Sequence, residues 1–567
     1  MHRIPWSRTF LLVFLGFFLV FGAWAFAAPF DGPPDEVQHV IRAAGVVSGQ
    51  IAPAPVAVID GAGNRGMRAY QRVPVGLLDH ASCWGFNPHT SAACQPPLSG
   101  GPVGNVPTSA GRYNPLYYAM VGLPVRLWPG WGGLVLSRLI SAALSAALLA
   151  WAFMVLLRWS RYGLMFAGLI AAATPMLAHL AGAVNPNGLE IAAGIGLFSA
   201  GIPLFLGPSR GPRAPAIWLF GVSAVLLGTL RSLGPAWLFF GLVMLLPVPQ
   251  FRALAGGLVR QPRAYLRGQW RRFGAFVRRY WPQRLIRNWA IAIAASTVLS
   301  LLWIIVMKTG QLVAPAPGLT HYSLAGAAMR YIIGWGNTYL EGMVGVAGWF
   351  DISMPSPFYW AYIAFAGSVV VFALAVGGWA TRWRFFVLFV GGVVLPGVMQ
   401  VAEANTVGFI IGGRYMLPLL AAMPLLGAFI VERDVLNARQ SQSMVRLLLL
   451  ALLPAHLVLL VFGMIRWQSG AQFTHLNPFG GNWHPPTGSV VPLVLMIAGL
   501  ILVGRMTWTA PARAAANQDP EVGKDAGTAG EVVAAKDGQP VELAAKVNGR
   551  RSPGADHDPL DELVVPT

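Results

Sequence analysis

Charge is what this sequence has least of. Of its 567 residues, 11% are Asp, Glu, Lys or Arg, whereas a soluble globular domain carries about a quarter. That share cannot cover a core of this size with a water-facing surface, which excludes a cytosolic enzyme. The 55% of hydrophobic residues excludes a chain disordered throughout. Cysteine is nearly missing: two in all rule out a disulfide-rich framework and a multi-cysteine metal cluster. Acid is scarce beside base, 21 against 40, for a formal charge of +19. In a soluble protein that excess would point to nucleic acid. In a chain this apolar it points to loops on the cytoplasmic side of a membrane, and no nucleic-acid partner is expected. What remains is an all-α integral membrane protein whose function rests on the few polar residues it keeps.

A spanning helix needs about 20 mostly apolar residues. Roughly twelve such runs, within a range of 10–14, are legible: about 9–28, 133–157, 162–182, 187–206, 214–229, 234–249, 289–307, 358–380, 385–402, 409–431, 447–465 and 488–507. The runs 214–229 and 234–249 are short and are parted by Arg231-Ser232-Leu233-Gly234-Pro235. Tyr113–Trp128 is apolar but carries Pro115 and Pro124, and reads as re-entrant or interfacial. The polytopic domain is expected over 1–508. The stretch 509–567, rich in Ala, Gly, Asp, Glu and Pro with no aromatic after Trp508, reads as a disordered cytoplasmic tail.

Lysine and arginine in the loops set orientation. With the N-terminus inside, eleven arginines fall in the short cytoplasmic segments, ten in the loop 250–288, which holds no acid, and seven basic residues from Arg505 onward. Both termini are therefore expected in the cytoplasm. The 250–288 loop interleaves arginine with aromatic and aliphatic residues, as an amphipathic helix lying on anionic headgroups would. Ala25-Phe26-Ala27 resembles a signal-peptidase site, but the apolar core before it is longer than a signal's roughly 7–15 residues, which favours an uncleaved anchor.

The large first external loop, 29–112, holds Cys83 and Cys94, which can oxidise outside the cytoplasm to a structural disulfide. It opens with Asp31-Gly32-Pro33-Pro34-Asp35-Glu36-Val37-Gln38-His39. Two prolines preset the backbone, a helix follows over about 36–48, and Asp35 suits its N-cap with Gln38 completing a capping box. Glu36 and His39 share one helix face. An acid pair at the positive end of a helix, just outside the first span, suits a general base working beside an anionic lipid headgroup. Two further groups lie at the same level: Arg112-Tyr113-Asn114-Pro115 before Tyr117-Tyr118, and Asn185-Pro186-Asn187-Gly188-Leu189-Glu190. The first also reads as an aromatic belt, and the second as a turn in which Asn187 caps the next helix.

Arg138, Arg231, Arg330, Glu341, Asp351, Glu403 and Arg414 fall in or near apolar stretches, mostly at external helix ends. Such residues face a cavity or a partner. Structural pairs, Arg414 with Glu403 for example, and ligand contacts are both open for each. A guanidinium holds phosphate oxygens bidentately, so Arg231 and Arg414 are the candidate phosphate ligands. His39, Asn114, Asn185, Glu190 and Asp351 complete the candidate substrate-binding set. No ligand spacing for a metal is evident, though a divalent ion bridging acid and phosphate is compatible with this chemistry.

Five segments in order, Pro33-Pro34-Asp35-Glu36 with His39, Asn114-Pro115 before Tyr117-Tyr118, Thr174-Pro175-Met176 leading to Val184-Asn185-Pro186-Asn187-Gly188, Gly348-Trp349-Phe350-Asp351, and Gly413-Arg414-Tyr415 before Pro418, resemble the bacterial membrane proteins of domain of unknown function 2142. The resemblance implies a GT-C-like fold, the superfamily of membrane glycosyltransferases that use polyprenyl-phosphate sugars and place an acid in the first external loop. Carried over, Asp35 and Glu36 would be the catalytic acids. The implied reaction moves a sugar from a polyprenyl-phosphate donor to a cell-envelope glycan or lipid acceptor on the outer face of the bacterial cytoplasmic (inner) membrane. The sequence departs from the family at Asn185-Pro186-Asn187, where Asn-Pro-Asp is expected, so an ionic role there is set aside. The competing reading is a transporter or flippase of lipid-linked glycans, which would place charges near the bilayer midplane within an internal repeat. No repeat is evident, and the charges gather toward one face.

Overall fold

Several helices start by one local device. Asn114, Thr174 and Asn185 each precede a proline, and their side chains accept hydrogen bonds from the backbone N–H of Leu116 (3.0 Å), Leu177 (3.4 Å) and Asn187 (3.0 Å). Proline has no N–H to leave unpaired in the first turn, so cap and proline together begin a helix at a defined residue. Asn185, not Asn187, is the cap at its site.

The computed structural model describes residues 5–59, 65–77, 82–85, 87, 89–208, 213–246, 282–310, 321–470 and 476–518, with single positions at 268, 271, 274 and 278. The expectations of a headgroup-lying helix across most of 250–288 and of disorder from 519 onward fall outside the described residues. In chain order the principal helices are α1 (Trp6–Ala27), α2 (Glu36–Val47), α3 (Pro115–Leu127), α4 (Trp131–Trp159), α5 (Met165–Ala172), α6 (Pro175–Ala181), α7 (Pro186–Leu206), α8 (Ala214–Thr229), α9 (Gly234–Leu245), α10 (Arg284–Val306), α11 (Leu324–Ile333), α12 (Ser356–Val376), α13 (Trp379–Glu403), α14 (Ala422–Asp434), α15 (Ala438–Ser469) and α16 (Val490–Gln518).

Eight of them, α1, α4, α7, α10, α12, α13, α15 and α16, are long and apolar enough to cross a membrane. The chain is a mostly helical, multi-pass membrane protein, and among the described residues eight of the expected twelve or so runs are continuous at that length. The run 162–182 breaks at Thr174-Pro175 into α5 and α6, 214–229 and 234–249 form the short α8 and α9, and 409–431 opens with a 3₁₀ turn at Gly413–Tyr415 before α14. The expected break in Tyr113–Trp128 is absent: Pro115 sits in the first turn of α3, which continues through Pro124. At the other end, α16 runs to Gln518, ten residues beyond 508.

The expected helical fold holds, and the first loop adds strands to it. The first loop carries a three-stranded antiparallel sheet in the order β1 (Val56–Ile59), β2 (Arg65–Pro74) and β3 (Val103–Thr108), with Val56 opposite Arg68 and Ala69 opposite Thr108. It is tied to α2 through Gln38, whose carbonyl accepts from the Thr108 hydroxyl (2.9 Å) and whose amide oxygen accepts from Ser109 N–H (2.8 Å). The Cys83–Cys94 disulfide is formed. In the helical body, a methyl at Gly16 of α1 would lie 2.9 Å from the Val503 side chain, and one at Gly499 of α16 only 2.8 Å from the Gly16 carbonyl oxygen. Those two glycines let α1 and α16 meet backbone to backbone, as small residues do between membrane helices.

Candidate functional site

Asp35 stands at the N-cap position of α2, but its side chain caps nothing and its backbone is left-handed, with φ of 65°. Asp31, also left-handed at 61°, does the capping: its buried carboxylate accepts from Val37 N–H (3.0 Å). Gln38, expected in a capping box, turns to the sheet instead. A left-handed backbone costs an aspartate about 1–3 kcal/mol and persists only where the surroundings impose it. Here it releases the Asp35 carboxylate from helix duty. That carboxylate is 45% exposed and accepts one hydrogen bond from Arg414 Nη2, at 3.3 Å. Arg414 therefore pairs with Asp35 and not with Glu403, the example of a structural partner left open from sequence.

Glu36 points the other way. Its side chain and that of Arg138 are both 0% exposed. Oε1 accepts from Arg138 Nε (2.8 Å) and Val184 N–H (2.9 Å), and Oε2 from Arg138 Nη2 (2.5 Å) and Asp31 N–H (3.2 Å). Arg138 spends its remaining donors on the carbonyls of Ala25 (3.0 Å), Ala28 (2.8 Å) and Pro29 (2.7 Å). A carboxylate with both oxygens doubly bonded and no solvent access is a fastener of α1, α2 and α4. The expected pair of catalytic acids thus separates into one structural and one available member.

One guanidinium bonds the available one, and a second shares a tyrosine ring with the first. Arg414 lies against the rings of Phe350 and Tyr415, its Cζ 5.0 and 4.9 Å from their centroids, and donates to the Tyr415 hydroxyl (3.0 Å). Arg231, from the α8–α9 turn, covers the same Tyr415 ring at 4.8 Å and the Tyr113 ring at 6.0 Å. Its carboxylate partner is Glu190, at a long 4.0 Å. Tyr415 thus sits between two cations and holds both by its π face. Glu190 also accepts from the Asn187 amide (3.0 Å). An ionised aspartate at 187 would offer that carboxylate no donor.

The other candidates divide. His39 is buried with Nδ1 2.8 Å from the Tyr118 hydroxyl; burial, with Arg231 and Arg414 nearby, holds its imidazole well below the ordinary range, so it is neutral. Asn185 caps α7 and donates to the Pro34 carbonyl (3.2 Å), fixing the turn before Asp35. Asn114 caps α3 and lines a narrow crevice with Arg231, Ser232, Trp303 and Thr309. Asp351 is not directed at Asp35: it pairs with Arg466 (2.8 Å), which also donates to the carbonyls of Trp84, Asn87 and Thr90 in the disulfide loop. The structure therefore brings together Asp35, His39, Glu190, Arg231 and Arg414, with Asn114 and Asn185 at their edge. Tyr415, Phe350 and Asp31 stood within the sequence segments above with no site role assigned, and Arg466 was not named. Arg466 closes an apolar run, where a basic residue reads as a loop charge.

Among the described residues no three His, Cys, Asp or Glu side chains approach closely enough to hold a metal ion. The side chain paired with Asp35 is the Arg414 guanidinium, which cannot serve as a ligand to a divalent cation.

No curated protein matches the chain. Among solved structures, it is similar to ArnT from Cupriavidus metallidurans bound to undecaprenyl phosphate, with 13% identity over 92% of this chain and 78% of that one. The TM-score is 0.36, too low to equate the folds. Residues 18–423 match the model of the family described as predicted membrane protein (DUF2142), and the chain belongs to that family.

Proposed function

We propose that the protein is a membrane glycosyltransferase that moves a sugar from a polyprenyl-phosphate donor to a glycan or lipid acceptor of the cell envelope. It would act on the non-cytoplasmic face of a bacterial inner membrane. The observation that carries this reading is the half-exposed carboxylate of Asp35, freed from capping and bonded to Arg414, with a second guanidinium, Arg231, across the Tyr415 ring. An acid paired with one guanidinium, with a second on the same tyrosine ring, matches a reaction in which a hydroxyl loses a proton while a phosphate leaves.

In this reading the donor phosphate docks on Arg231 and Arg414, drawing Arg414 off Asp35. The acceptor oxygen forms its bond to the anomeric carbon as the bond from that carbon to the phosphate oxygen breaks. The electron pair leaves with polyprenyl phosphate, and the hydroxyl proton passes to Asp35. Among the described residues no second free carboxylate adjoins Asp35 to act as a covalent nucleophile, so a single displacement with inversion follows.

The test is transfer from a lipid-linked sugar in purified membranes. Asp35→Asn, at normal protein level, is expected to lower the rate at least about a hundredfold. Arg414→Lys keeps the charge but loses the fork, and should raise the apparent donor KM. Full activity in Asp35→Asn would overturn the reading.

A further inference from the structure

Phe350 has a backbone φ of 66° and a side chain 46% exposed. A bulky residue in the left-handed region is an outlier that its surroundings must enforce, and here they enforce it from both sides. Trp349 Nε1 donates to the Asp31 carbonyl (3.0 Å), tying the turn to the residue that caps α2. Asp351 accepts from Trp349 N–H (3.1 Å) and from Arg466 (2.8 Å), tying it to the disulfide loop. The turn is closed at its base by paired backbone bonds between Ala347 and Ile352 (2.9 and 3.3 Å). These bonds hold up a large apolar ring that is not packed into the core. It is not simply turned to lipid either, because its face lies against the Arg414 guanidinium that pairs with Asp35.

The geometry points to Phe350 as the platform for the sugar of the donor, its ring packing on the apolar C–H face of a pyranose. The inference rests on the proposed function and deepens it. A sugar whose phosphate is held by Arg414 and whose anomeric carbon is attacked beside Asp35 has its ring next to that pair, on the side Phe350 flanks. A flat aromatic surface there desolvates the sugar's carbon face while leaving its hydroxyls free, which is how apolar and polar groups divide the work in most ligand sites. The strained turn fixes the ring before the sugar arrives, so little freedom is lost on binding.

The experiment compares two probes on the purified full chain in detergent: polyprenyl-phosphate-linked glucose and polyprenyl phosphate alone. The wild type is expected to bind the sugar-bearing lipid about tenfold more tightly. Phe350→Gly should erase that preference while leaving affinity for the bare lipid intact. Glycine adopts this φ without strain, so the variant keeps its fold, and its thermal melt verifies that. Phe350→Tyr should retain the preference. A wild type that binds both lipids alike, or a Phe350→Gly protein that still prefers the sugar, overturns the platform. Equal loss of both affinities in Phe350→Gly overturns it too, because the ring would then act through Arg414. A wild type that binds neither lipid sinks the proposed function itself, and the platform with it.

Discussion

The neighbouring acids Asp35 and Glu36 are expected to fail in opposite ways. Glu36→Gln leaves the Arg138 guanidinium buried without its counter-charge, and breaking such a pair costs about 3–5 kcal/mol. Its protein level and melting temperature in detergent should both drop. Asp35→Asn keeps a residue that tolerates the left-handed backbone and disturbs only a half-exposed carboxylate, so its melt should match the wild type while transfer is lost. An unchanged melt for Glu36→Gln would refute the fastening role. His39 adds a pH dependence. Its imidazole is held below the ordinary 6.5 in the folded protein, so the unfolded chain binds a proton that the folded chain refuses as pH falls through that value. The His39 share of stability is therefore level above about pH 6.5 and declines below it, by up to about 1.4 kcal/mol per pH unit. In melting temperature against pH, His39→Gln should flatten the acid limb. An acid limb of the same slope would place the proton elsewhere.

At the level of elements, Arg466 fastens the disulfide part of the first loop to the helical body. Arg466 of α15 reaches three carbonyls within the disulfide loop and the Asp351 carboxylate of the Phe350 turn. Opening Cys83–Cys94 by reduction or by Cys83→Ser removes a crosslink worth about 2–4 kcal/mol. Limited proteolysis should then cut between 83 and 94 while the spans stay whole, and resistance there would show that Arg466 alone holds the loop. How much of this could be read beforehand depended on the range of the interaction. The disulfide and the apolar runs are local or compositional, and they were legible. The caps at Asn114, Thr174 and Asn185 are as local, but the sequence reading places a cap at Asn187 and makes 162–182 one run. The sheet was not, because β2 mixes Arg65, Arg68 and Arg72 with Gly66 and shows no clean apolar alternation. The capping partner was misassigned because Asp31, four residues upstream, reaches Val37 through a turn that spacing rules do not describe. Arg414 meets Asp35 across 379 residues, and no local pattern carries such a pairing.

For the molecule as a whole, the functional proposal depends on which side of the membrane the Asp35 end faces. The excess of arginine in the other loops predicts that α2 and the sheet lie outside the cytoplasm. Reporter fusions make this measurable: an alkaline phosphatase domain joined after Thr108 should be active, and one joined after Arg158 inactive. The reverse pattern would put Asp35 on the cytoplasmic side and remove the proposed acceptor from reach. The Arg138–Glu36 fastening has a further consequence, in the timing of biosynthesis. A lone arginine within a spanning helix resists insertion by roughly 2.5–3.5 kcal/mol, yet α4 leaves the ribosome after α2. Glu36 and the carbonyls of Ala25, Ala28 and Pro29 are already waiting when Arg138 arrives. The order of the chain thus supplies the counter-charge before the charge, and a circular permutant that delivers α4 ahead of α2 should insert that helix poorly although its finished contacts would be the same.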